Sequence, residues 1–122
     1  MVKLVNKFRI CKLYINRILV AFIFLYGCGE NQNVHLSDTV IFEGKLYKMD
    51  SEKPFSGLVY NTYSNGKREY EGEYKHGKPN GLLLYWYEDG ALMRKGKLKN
   101  GSPIGLWKYY YRDGTIEKTI NY

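Results

Sequence analysis

Two histidines, two cysteines and three alternating glutamates are the residues of this chain whose types could carry chemistry. A zinc site needs several His or Cys at ligand spacing, and His35, His76, Cys11 and Cys28 do not supply it. His35 falls in a polar stretch. His76 falls in a turn whose counterpart 24 residues on is Asn100, which fits a local turn role better than a ligand role. No Cys/His or Ser/His/Asp arrangement suggests a nucleophile with its base. Glu69, Glu71 and Glu73 alternate along a strand and share one face, and paired carboxylates can hydrolyse a glycoside. The positions 24 residues on are Met93, Lys95 and Lys97, so the acids read instead as a charged solvent edge that discourages strand-to-strand aggregation. The glycines stand in strand–turn–strand settings with no following helix N-terminus to receive a phosphate. The residues point to a protein that is not an enzyme, with no metal and no cofactor.

The elements that hold these residues repeat. Gly57, Gly81 and Gly105 form one column at a step of 24 residues; Gly66, Gly90 and Gly114 form a second. Gly72 and Gly96 form a third, Gly77 and Gly101 a fourth, and Tyr63, Tyr87 and Tyr111 keep the same step. A period in this range is the mark of a repeat array. Each unit reads as strand, turn, strand: Gly57 to Tyr63, a turn at Ser64-Asn65-Gly66-Lys67, and a return over Arg68 to Tyr74. Asn-Gly between β-prone runs predicts a type I′ hairpin turn. The second and third units turn at Glu88-Asp89-Gly90 and Arg112-Asp113-Gly114. Gly66, Gly90, Gly114, Gly72 and Gly96 are all expected in structural turns. Thr39–Glu43 and Lys45–Lys48 read as two short strands that cap the open end of the array. The fold class is all-β: tandem hairpins of 24-residue period, stacked into an elongated antiparallel sheet and preceded by a helical N-terminal signal segment.

Within the strands, Val59/Leu83/Trp107, Asn61/Tyr85/Tyr109 and Tyr63/Tyr87/Tyr111 share one face, which is expected to pack; Thr62/Trp86/Tyr110 share the other. Two Trp on opposite faces mean either cover on both sides or one aromatic face exposed for binding. Trp86, Tyr110, Tyr85, Tyr109 and Trp107 are the candidate binding residues, with burial in a core as the competing reading.

A chain of 122 residues supports one folded domain. Its formal charge of +7 would suit a nucleic-acid partner, but five basic residues (Lys3, Lys7, Arg9, Lys12, Arg17) precede the first acid, Glu30. Beyond residue 27 there are 14 basic and 12 acidic residues, mixed along the repeats, and no nucleic acid is expected. The basic leader and the apolar run Ile18–Tyr26 fit a secretory signal over residues 1–27. Leu25-Tyr26-Gly27-Cys28 resembles a bacterial lipobox, and the resemblance implies acylation of Cys28. An uncleaved anchor or a buried helix are the alternatives. Residues 28–39 read as a polar tether and residues 40–122 as the repeat domain. Both cysteines lie at or before the proposed cleavage point, so no disulfide staples the repeats.

The run Tyr70-Glu71-Gly72-Glu73-Tyr74, followed by Gly77 and Gly81, resembles a MORN repeat. Pro54-Phe55-Ser56-Gly57, Tyr63-x-Asn65-Gly66 and Gly105-Leu106-Trp107-x-x-Tyr110-Tyr111 are similar to bacterial MORN-variant proteins of the YwqK-type antitoxin family. The resemblance implies hairpin repeats and a role in binding, with a toxin among the partners. The expectation is a non-catalytic, membrane-anchored lipoprotein of the bacterial envelope that binds a protein partner. The alternatives are an envelope lipoprotein that binds glycan or lipid, and a cytoplasmic antitoxin.

Overall fold

The computed structural model describes residues 32–122. The signal segment expected over residues 1–27 and the acylation site Cys28 lie outside the described residues. Nine strands follow: β1 (Asn33–His35), β2 (Thr39–Phe42), β3 (Lys45–Lys48), β4 (Gly57–Thr62), β5 (Arg68–Lys75), β6 (Lys78–Trp86), β7 (Leu92–Lys99), β8 (Ser102–Tyr110) and β9 (Ile116–Asn121). Seven of them form one sheet in the order β1-β4-β5-β6-β7-β8-β9, while β2 and β3 pair as a separate hairpin. From β4 to β9 every neighbouring pair is antiparallel, as hairpin connections require.

The two ends of the hairpins use different turn chemistry. At one end, the Gly66, Gly90 and Gly114 amides donate to Tyr63, Tyr87 and Tyr111 carbonyls at 2.9, 2.9 and 3.0 Å. The Asn65, Asp89 and Asp113 side chains each accept from the backbone N–H two residues on, at 2.9, 2.9 and 2.8 Å. Only the glycine of each turn has positive φ (82°, 96° and 87°). The type I′ turn expected at Asn65-Gly66 is therefore absent. The side-chain bond holds the Asx residue in ordinary backbone space and leaves one left-handed step to the glycine, a three-residue hairpin loop. Paired positive φ, the I′ requirement, occurs at the other end, at His76-Gly77 (51° and 78°) and Asn100-Gly101 (50° and 85°).

Gly72 and Gly96, expected in turns, lie inside β5 and β7. They pair with Val59 and Leu83 respectively. Their reason is a close approach from the side. A Cβ at Gly96 would collide with the indole of Trp107, and one at Gly72 would collide with the Tyr70 phenol.

The core is small: Val34, Leu46, Phe55, Val59, Tyr70, Leu83 and Trp107, with Tyr74, Tyr85, Leu98 and Tyr109 packed against it. Val59, Leu83 and Trp107 are thus the packed face that the alternation predicts. Part of the stretch read as a tether belongs to the fold. Asn33–His35 runs parallel to β4, Val34 is buried, and the Leu58 amide donates to the Gln32 carbonyl at 2.9 Å. The sheet edge beside β4 is covered by β1 rather than by the β2–β3 hairpin. That hairpin docks through Leu46 onto the β5–β6 turn, its amide donating to the Gly77 carbonyl at 2.8 Å. Strand β5 sits between β4 and β6, so Glu69, Glu71 and Glu73 do not line an edge.

Candidate interaction surface

The five aromatic candidates divide between the two faces of the sheet, because residues adjacent along a strand point to opposite sides. Tyr85 and Tyr109 are half-buried on the core face. The Tyr70 and Tyr85 ring centroids lie 5.0 Å apart, and the Arg94 guanidinium stands 4.0 Å from the Tyr85 ring. Lys118 stands 4.9 Å from the Tyr109 ring. Trp107 belongs to the core: its indole N–H donates to the Lys97 carbonyl at 3.2 Å and its ring covers Gly96. It cannot present its ring to a partner. Strand alternation puts Tyr85 and Tyr109 with the buried Trp107, so the five residues do not form one surface.

Trp86 and Tyr110 remain together on the other face, both half-buried. Trp86 lines a cleft of about 360 Å³ with Lys67, Arg68, Glu71, Asp89 and Gly90. Arg68 pairs with Glu71 at 3.5 Å and stacks 4.1 Å from the Tyr60 ring. Lys95 stands 6.0 Å from the Tyr110 ring. Aromatic rings with flanking cations are the composition that concentrates binding energy at protein interfaces and also suits cation–π contact. The sequence suggests a basic as well as aromatic rim but identifies no particular cation, since the place of Arg68 and Lys95 depends on which residues oppose one another across β5–β6 and β7–β8.

The backbone beneath is tied turn to turn. Tyr63 donates its hydroxyl to the Trp86 carbonyl at 2.7 Å, and Tyr87 donates to the Tyr110 carbonyl at 3.0 Å. Asn65 and Lys67 add bonds to the Glu88 and Asp89 carbonyls at 3.0 and 2.8 Å. The carbonyls of both candidate aromatics are therefore held from a neighbouring hairpin. Among the described residues no group of three or more His, Cys, Asp or Glu is placed to hold a metal ion. Comparison with protein-family models, with curated proteins and with solved structures finds no match.

Proposed function

We propose that this chain is a non-catalytic MORN-like repeat protein, anchored to a bacterial membrane through acylated Cys28, whose Trp86–Tyr110 face binds a protein partner. The observation that carries the reading is one partly exposed face on which Lys95 stands over the Tyr110 ring and Arg68 lines the Trp86 cleft, above carbonyls fixed by Tyr63 and Tyr87. A surface ordered before binding loses less entropy on association. The 24-residue recurrence of glycines and tyrosines supports the repeat reading. The basic leader and Leu25–Cys28 support the anchor. A toxin is one partner class that the family resemblance implies.

Intact mass spectrometry of the protein from host membranes tests the anchor. A chain beginning at Cys28 with added acyl mass, lost in Cys28→Ala, is expected; an unmodified full-length chain in the cytosol would shift the reading to a cytoplasmic antitoxin. A second reading, glycan binding in the envelope, is favoured by the cleft that Trp86 lines together with Glu71, Asp89 and Arg68, an aromatic ring beside polar side chains. Unchanged glycan retention by a folded Trp86→Ala variant would remove it. The lipid-binding alternative would place head groups on the same basic residues.

A further inference from the structure

One position along the sheet is solved in two ways. In the β5–β6 pair the register breaks between Gly72 and Tyr74, and the Leu82 amide faces the break. Glu73 fills it: its carboxylate accepts from the Leu82 N–H at 2.7 Å and lies directly over Gly81, where a Cβ would collide with Oε2. The β7–β8 pair breaks in the same way between Lys95 and Lys97. Here the residue 24 positions after Glu73 is Lys97, and that after Leu82 is Leu106. Gly105, at the place of Gly81, has φ +62°, and a Cβ there would meet no atom within 4 Å.

The result is a cleft of about 420 Å³ lined by Lys95, Lys97 and Lys108 with Leu82, Ile104 and Leu106. None of the three lysines is in an ion pair among the described residues. Three cationic side chains line one cleft with no acid in its lining, a setting that favours an added carboxylate able to make charge-assisted hydrogen bonds. We propose that this cleft binds a carboxylate borne by a partner protein: an acidic side chain flanked by aliphatic residues, seated over Gly105 as Glu73 is seated over Gly81. The carboxylate meets the lysines, and the flanking aliphatic groups cover Leu82, Ile104 and Leu106, which are 39%, 41% and 54% exposed. The cleft shares its sheet face with Trp86 and Tyr110, so the proposal rests on the partner-binding reading and supplies that partner's chemistry.

The test is amide NMR on the full-length chain in non-ionic detergent, titrated with the peptide acetyl-Leu-Glu-Leu-amide or its Leu-Gln-Leu counterpart. Saturable shifts at Gly105 and Leu106 with the acidic peptide are expected, weaker at higher salt. The glutamine peptide and the Lys97→Gln variant should each bind roughly tenfold more weakly, the scale of one charge-assisted contact. Lys97→Glu should fold, gain stability by restoring the internal carboxylate, and lose the acidic peptide. Equal binding of both peptides, shifts away from Gly105 and Leu106, or undiminished binding by Lys97→Glu would each overturn the proposal. If the peptide fails while a partner still crosslinks at position 84, beside Trp86 on the same face, the carboxylate site falls and the interaction module stands.

Discussion

The Tyr63 hydroxyl reaches from one hairpin turn to the Trp86 carbonyl of the neighbouring hairpin, 2.7 Å away. Tyr87 repeats the contact to Tyr110 at 3.0 Å. An isolated hairpin is marginal in water, so such bonds help turn single hairpins into one sheet. Tyr87→Phe keeps the ring and leaves the Tyr110 carbonyl without this donor, and is expected to cost about 1 kcal/mol in urea unfolding. Tyr63→Phe should act in the same direction. Tyr111, at the matching turn, is 53% exposed, and Tyr111→Phe should leave the unfolding midpoint unchanged.

Packing of Trp107 over Gly96 sets a second expectation. Any Cβ at position 96 meets the indole, and Trp107 is held by its bond to Lys97. Gly96→Ala should destabilise by about 1–3 kcal/mol through overpacking. Trp107→Ala should cost about 3–5 kcal/mol through the cavity it leaves. Trp86→Ala, on the half-exposed face, should cost much less than Trp107→Ala while impairing partner binding. Thermal unfolding of the three variants separates core from surface.

Burial pushes the Tyr70 hydroxyl well above the usual tyrosine range, and its bond to the Tyr74 hydroxyl at 3.1 Å adds to the shift. The unfolded chain loses this proton near pH 10, while the folded chain keeps it. The unfolded state then binds fewer protons, so stability is fully present below about pH 10 and falls as pH rises beyond it. The urea midpoint should decline across this alkaline range, and Tyr70→Phe should flatten the decline.

At the third turn, the Thr115 hydroxyl donates to the Asp113 carboxylate at 2.6 Å, and the Thr115 amide donates at 2.8 Å. These bonds hold the Asp113 carboxyl below its ordinary range, the hydroxyl first and the backbone second. The stability this supplies is present above the unfolded pKa and is lost as pH falls through the folded one. Carbon-detected NMR titration should find Asp113 depressed, and Thr115→Val should raise its pKa toward the ordinary value.

The hairpin positions were legible because Asn65-Gly66, Asp89-Gly90 and Asp113-Gly114 announce themselves locally between β-prone runs. The buried face was legible from alternation, which placed Val59, Leu83 and Trp107 together. What escaped depends on partners distant in the chain. Gly72 and Gly96 look like turn glycines until the rings of Tyr70 and Trp107 are seen above them. Strand β1 has a single buried apolar residue, Val34, among polar neighbours, too little for a pattern. The turn type at Asn65 was decided by a side-chain hydrogen bond that Asn-Gly statistics do not resolve. The candidate surface was legible as residue types, but its division between two faces removed Trp107 and brought in Arg68 and Lys95.

A photo-crosslinking residue in place of Leu84, the strand neighbour of Trp86 on the same sheet face, activated in the full-length chain in membranes of its own host, tests the central claim most directly. The account predicts a discrete crosslinked protein partner, lost when Tyr110→Ala and Arg68→Ala are added and absent when the crosslinker replaces the core residue Trp107. A folded, membrane-held chain that crosslinks to no protein from position 84 would contradict it.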